Sequence, residues 1–277
     1  MLRRMSTVLA VAAALLTVTQ AAPAQAHGRT APLPQAHAHN DYEHERPLLD
    51  ALDHGFTSVE ADIYLVGGEL LVAHDPEDLQ PGRTLAALYL DPLVERVRAN
   101  RGRVYRGSPI SLQLLIDIKN TGAATYTALD ATLREYRTIL SRYAYGRVTT
   151  GAVTAVISGD RPRELMESQT VRYAFYDGRM SDLTAGAPAE FIPLISDNWN
   201  NVFSWQGDGP MPADQRARLR EIVRTAHEDG RRVRFWATPD TAGPARTAVW
   251  TELRRAGVDH INTDDLAGLE AFLRAKR

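Results

Sequence analysis

The chain has 277 residues, 44% of them hydrophobic and 24% charged, with a formal net charge of -2 and no cysteine. That length suffices for one sizeable core, since a barrel of about 250 residues counts as a single domain. The charge balance excludes nucleic-acid binding by bulk electrostatics, and the absence of cysteine excludes disulfides and thiol chemistry.

The first predicted element is a leader. Arg3 and Arg4 precede an apolar run from Val8 to Val18, and Ala24-Gln25-Ala26 has the small-x-small form of a cleavage site. These features predict a secretory signal peptide over residues 1–26, hence a secreted protein, followed by a disordered lead-in over 27–34. Without the leader the chain carries 30 basic and 34 acidic groups. No other segment approaches the ~20 apolar residues of a membrane span.

From residue 35 onward, apolar runs alternate with amphipathic stretches. Strands are expected near Gln35–His39, Ser58–Leu65, Leu112–Ile118, Thr154–Ser158, Arg172–Tyr176, Phe191–Ser196, Arg232–Trp236 and His260–Thr263. Helical spacing appears at Leu48–Leu52 after Pro47, at Leu85–Val97, Ala123–Leu140 and Arg216–Ala226, and at Leu266–Leu273. Strands alternating with helices imply a parallel sheet. Eight of them predict an α/β (β/α)₈ TIM barrel in a single domain over 35–277, with an open doubly wound sheet as the alternative. The connection Asp177–Glu190 is short for a helix.

Barrel chemistry sits at the C-terminal ends of strands. Here the first strand ends in His37-Ala38-His39-Asn40-Asp41, the second carries Glu60-Ala61-Asp62, and the third reads Leu114-Leu115-Ile116-Asp117-Ile118-Lys119. A short extended segment, Leu70–Ala73, delivers His74-Asp75. Residues i and i+2 share a strand face, so Glu60 and Asp62 point the same way. Two adjacent carboxylates repel unless protonated or bridged by a cation, and a hard ion such as Mg²⁺ or Ca²⁺ takes oxygen ligands. Asp117 is the expected third ligand. Lys119 is one of only two lysines beside 30 arginines, and an ammonium at a strand end can neutralise phosphate. His39 and His74 flanking a cation suit phosphodiester cleavage, one taking a proton and the other giving one. His37 is expected to line the barrel with His39, and His44, His54, His227 and His260 to lie on the surface or in loops.

These motifs resemble the glycerophosphodiester phosphodiesterase and phosphatidylinositol-phospholipase-C-like superfamily, over about His37 to Leu273. HAHNDYEHERPLLDALDHGFTSVEADIYL resembles the family's opening, LLVAHDPE its second-histidine motif and LLIDIK its third metal-ligand strand. VRFWATPD resembles the strand bearing an active-site Trp, and GVDHINTDD the closing strand. His39-Asn40-Asp41 stands where relatives have His-Arg-Gly, and the Pro-Glu-Asn-Thr glutamate is missing, as in the sphingomyelinase-D-like branch. The resemblance implies one divalent cation on Glu60, Asp62 and Asp117, with His39 and His74 as acid and base. It also implies substrate contacts from Asn40, Lys119, Trp236, Asp197 and Asn198, with Ser158 and Asp160 behind them. The substrate expected is a small-molecule or lipid phosphodiester. No protein partner is implied, and Trp199, Phe203 and Trp205 are expected either to pack over the rim or to touch a membrane surface. Two alternatives use the same residues: a zinc amidohydrolase built on His37-x-His39, and a non-catalytic barrel that binds without turnover.

Overall fold

The computed structural model of the protein describes residues 30–275. The strands are β1 (Leu33–Ala38), β2 (Phe56–Val66), β3 (Glu69–Val72), β4 (Leu112–Ile118), β5 (Arg142–Ala144) and β6 (Arg147–Thr149). They continue with β7 (Val153–Gly159), β8 (Val171–Arg172), β9 (Ala174–Gly178), β10 (Leu194–Asn198), β11 (Arg232–Trp236) and β12 (His260–Thr263). The α-helices are α1 (Leu49–Asp53), α2 (Asp91–Ala99), α3 (Gly122–Glu135), α4 (Arg163–Ser168), α5 (Trp199–Val202), α6 (Ala213–Glu228), α7 (Pro244–Ala256) and α8 (Leu266–Arg274).

Eight strands, in the order β1-β2-β4-β7-β9-β10-β11-β12, pair in parallel, and β12 returns to β1 to close the barrel. Closure rules out the open-sheet alternative. β4 shows why these residues make this architecture. Leu112, Leu114, Ile116 and Ile118 are buried in the main core cluster that includes residues of the surrounding helices. The alternate residues Gln113, Leu115 and Asp117 therefore face the lumen. Part of that lumen is a small apolar cluster of Leu115, Val156, Phe175 and Leu194. Much of the rest is polar and hydrogen-bonded across strands, through His37, Ser58, Glu60, Gln113, Arg234 and Asn262.

Several expectations are corrected here. The disordered lead-in does not extend to residue 34, because β1 begins at Leu33, while the leader itself lies outside the described residues. β10 starts at Leu194, three residues later than expected, where the preceding Pro193 has no N–H to give to the ladder. α7 went unread although Pro244 opens it and Gly257 closes it with φ +84°. Only a short 3-10 turn, Met180–Asp182, follows β9, so the connection read as too short for a helix holds none. His260 is not at the surface: at 2% exposure it stands inside the barrel, since it opens β12. Trp199, Phe203 and Trp205 are all buried, with Trp199 and Phe203 ring centroids 4.2 Å apart, so they pack rather than face lipid.

A buried acid braces the first βα loop. Asp41 accepts the Leu48 N–H at 2.5 Å and holds Leu48 at φ +65°. Burial pushes its carboxyl up to about 7, against the lowering effect of that bond. A folded-state value above the unfolded one stabilises the protein fully below about pH 4, and the contribution is lost as pH rises through 7. Asp41→Asn, which mimics the neutral acid, is therefore expected to raise stability at pH 8 by an amount on the order of 3 kcal/mol. The gain should vanish near pH 4, and urea midpoints at the two pH values check it.

Candidate functional site

The strand register brings the acidic residues together. Asp62 on β2 is the direct partner of Asp117 on β4, and Glu60 lies two residues before Asp62 on the same lumen face. Glu60, Asp62 and Asp117 each offer an oxygen, and these oxygens lie within 4.8 Å of one another. Gly159 makes room for them: its φ is +69°, and a Cβ there would come within 2.4 Å of Asp117 Oδ1.

The three carboxylates carry unequal charge. For Glu60, burial opposes ionisation, but the Arg234 guanidinium at 2.5 Å and the His37 contact at 3.2 Å hold it well below the usual carboxylate range. Asp62 is pushed up to about 6 by burial and then by Glu60, with Lys119 pulling the other way. Burial likewise raises Asp117. Lys119 Nζ sits 2.8 Å from Asp62 Oδ2 and 3.3 Å from Asp117 Oδ1, and these two carboxylates outweigh the effect of burial and raise it. Asp62 Oδ1 remains buried without a hydrogen-bond partner.

Both expected catalytic histidines stand at this site, each held through Nδ1. His39 follows β1, with Nδ1 2.8 Å from Asp264 Oδ1. Burial opposes its charged form, yet Asp264 and Glu60 prevail and the net shift is upward. His74 is delivered by the β2–β3 hairpin, whose turn needs the positive φ of Gly67 and Gly68. Its carbonyl accepts from the Tyr64 hydroxyl at 2.9 Å. Its Nδ1 lies 3.0 Å from Tyr42 Oη and 3.3 Å from Asp62 Oδ2. Tyr42 Oη also lies 2.7 Å from Asp62 Oδ2 and 2.8 Å from Asn40 Oδ1. A phenol has one proton and accepts through its lone pairs. The charged carboxylate is the stronger acceptor, so Oη donates to Asp62 and accepts the His74 Nδ1–H. The Nε2 atoms of His39 and His74 make no hydrogen bond among the described residues.

Across the lumen lies a second polar group. Asp177 Oδ2 accepts from Arg179 at 2.6 Å and from Ser158 and Ser196, each at 2.8 Å. Trp236 ends β11 beside Asn198, and Asn198 Oδ1 caps α5 on the Asn200 N–H at 2.9 Å. Asp197 is not at the site. Its neighbour Ser196 faces the lumen, so Asp197 faces outward, where it accepts from the Met180 and Asn198 N–H groups and from Asn201. Asp160 binds the Gly122 N–H at the start of α3. His37 is fully buried between Ser58 and Glu60, and burial lowers it to about 3. With both ring nitrogens of His37 engaged, by Ser58 and Glu60, His37-x-His39 does not form a pair of zinc nitrogens.

Sequence reasoning missed Tyr42, Arg179, Arg234 and Asp264. Asp264 entered only as part of the GVDHINTDD segment that resembles the closing strand. The i, i+2 rule applied to Arg232-Val233-Arg234-Phe235 places Arg234 on the lumen face, which was the available signal.

A closed parallel barrel with ionisable groups at its strand ends defines a phosphodiesterase-type TIM barrel of the glycerophosphodiester phosphodiesterase and phosphatidylinositol-phospholipase-C-like superfamily. The chain belongs to the AIM6-like phosphodiesterase family, whose domain matches residues 29–177, and residues 232–267 match the glycerophosphoryl diester phosphodiesterase family. It is 28% identical to Altered inheritance of mitochondria protein 6 homolog of Arthroderma benhamiae, over 87% of this chain and 84% of that one. It is 31% identical to Altered inheritance of mitochondria protein 6 of Eremothecium gossypii, over 87% and 69%. A glycerophosphoryl diester phosphodiesterase from Parabacteroides distasonis shares the fold, with a TM-score of 0.51 and 15% identity over 89% of this chain and 87% of that one. The expectation of secretion is corrected by these relatives. Their name ties them to mitochondria rather than to export.

Proposed function

We propose that the protein is a metal-assisted phosphodiesterase in which His39 is the general base and His74 the general acid. One observation carries the reading: three converging carboxylates are flanked by two imidazoles, each anchored through Nδ1 with Nε2 left free. The orphaned Asp62 Oδ1 and the all-oxygen donor set fit one hard divalent cation, Mg²⁺ or Ca²⁺, on Glu60, Asp62 and Asp117. Such an ion, when bound, neutralises charge on the phosphoryl oxygens.

The residues supply the rest. His39 takes the proton of the attacking hydroxyl, from water or from the substrate itself, as the new P–O bond forms. Asp264 stabilises the resulting imidazolium, as a carboxylate does in an Asp-His pair. His74, held by Tyr42 and Asp62, donates its Nε2 proton to the leaving oxygen as the old P–O bond breaks. Lys119 neutralises phosphate charge, and Arg179 is the basic group placed to replace the arginine missing beside His39. Asn40 orients Tyr42 with its amide turned so that Nδ2 donates to Oη, while Trp236 and Asn198 border the alcohol portion of a small-molecule or lipid phosphodiester.

The test is turnover of bis(p-nitrophenyl) phosphate with added Mg²⁺ or Ca²⁺. Activity that a chelator removes and metal restores supports the reading, and metal-independent turnover or none overturns it. Asp264→Asn removes the group that raises His39. The acid limb of the kcat/KM profile is therefore expected to move to lower pH, with a lower plateau. Tyr42→Phe is expected to lower kcat about tenfold with KM nearly unchanged, as loss of a positioning hydrogen bond should.

A further inference from the structure

At the other end of the barrel stands a cation with no ion-pair partner among the described residues. Arg232 opens β11 and shares its lumen face with Arg234. Arg234 has Glu60, but no carboxylate forms an ion pair with Arg232 among the described residues. Among the described residues its one side-chain hydrogen bond runs from Nη1 to His260 Nε2 at 3.3 Å. His260 is buried and, through that burial, held well below its ordinary value, so it brings no charge of its own. Asp259 is turned to other partners, the Val233 N–H and His227, each at 2.8 Å from its Oδ2. Burial pushes Arg232 itself down from its ordinary value, and the charge of Asp259 acts the other way without reversing that. Arg232 is half-buried, and a charge even partly withdrawn from water gains from a counter-ion placed beside it.

Arg232 lines a cavity of about 240 Å³, along with Ser111, Ser141, Thr150, Thr154 and Phe175. Three of the hydroxyls are linked, since Ser111 Oγ and Ser141 Oγ lie 2.9 and 2.7 Å from Thr154 Oγ1. Hydroxyl protons rotate to suit an acceptor, so this chain can turn donors toward an anion. A separate small sheet, β6-β5-β8, flanks this end, and Ser141 and Thr150 border its strands.

We propose that this cavity binds a small tetrahedral oxyanion between Arg232 and the Ser111, Ser141, Thr150 and Thr154 hydroxyls, at the end of the barrel opposite the carboxylates. The ligand balances the arginine's charge and takes no part in the chemistry at the carboxylates, so the site stands or falls independently of the proposed phosphodiesterase activity.

The experiment is an amide NMR titration of the full chain with inorganic phosphate. Sulfate, glycerol phosphate and chloride, each at matched ionic strength, form its other arms. Phosphate and sulfate are expected to shift the Ser111, Ser141, Gly151 and Thr154 amides. Arg232→Met is expected to weaken this binding by about ten- to a hundredfold, the worth of charged hydrogen bonds, while leaving any shifts near His74 and Lys119 intact. Thr154→Val, which keeps the shape and removes the hydroxyl, is expected to weaken it less. Should Arg232→Met fail to fold, Arg232→Lys and Thr154→Val carry the comparison. Glycerol phosphate acting like phosphate assigns the site to phosphate groups on larger molecules, and its failure to bind assigns it to the free ion. Equal shifts with chloride, unmoved amides at this end, or phosphate shifts that persist unchanged in the variants overturn the proposal.

Discussion

Replacing His39 or His74 by alanine lowers turnover of a diester by about 10²–10⁴-fold, the usual contribution of a positioned acid or base. The two losses should differ in a way that reveals the roles. p-Nitrophenolate leaves without needing a proton, whereas an alkoxide does not. His74→Ala should therefore retain far more activity on a p-nitrophenyl ester than on an alkyl ester, and His39→Ala should be impaired on both. The double variant should fall little below the worse single one, because both groups serve one displacement. Both rings are partly exposed at the rim, so thermal unfolding should barely move. Rates left intact in both variants would contradict the assignment.

The second large effect is on stability. Arg234 and Glu60 are both buried, 2.5 Å apart, and Arg234 also binds Asn262 Oδ1. Arg234→Met leaves the Glu60 charge uncompensated and is expected to cost about 3–5 kcal/mol, as breaking a buried pair generally does. Adding Glu60→Gln to the same chain should recover most of that loss by removing the orphaned charge. Urea midpoints of the single and double variants test this. A double variant no more stable than Arg234→Met would show that the arginine acts through packing alone.

The sequence made the metal-type triad legible because Glu60, Asp62 and Asp117 interrupt apolar runs, where carboxylates need a compensating partner. His39 and His74 were visible for a related reason, as each follows a strand directly. What the sequence hid was contact between distant segments. Asp264 lies 225 residues beyond the His39 it orients, and no local pattern links them. Tyr42 carried no signal of its own, since its role depends on a hydroxyl placed between Asp62 and His74 by the hairpin fold. Asp197 misled because a strand-end acid can face either side, and only the register of Ser196 toward Asp177 decides which. α7 was missed because its apolar stripe is short, although Pro244 and Gly257 mark its ends.

The Glu60–Arg234 pair joins residues 174 positions apart. While the chain is being synthesised, His39, Glu60, Asp62, His74 and Asp117 all emerge well before Arg234. Until β11 docks, Glu60 lacks the guanidinium that keeps it ionised, and until β12 follows, His39 lacks Asp264. On the proposed reading, competence to bind a cation and move a proton is thus withheld from every truncated or half-assembled form and appears only when the ring of strands completes.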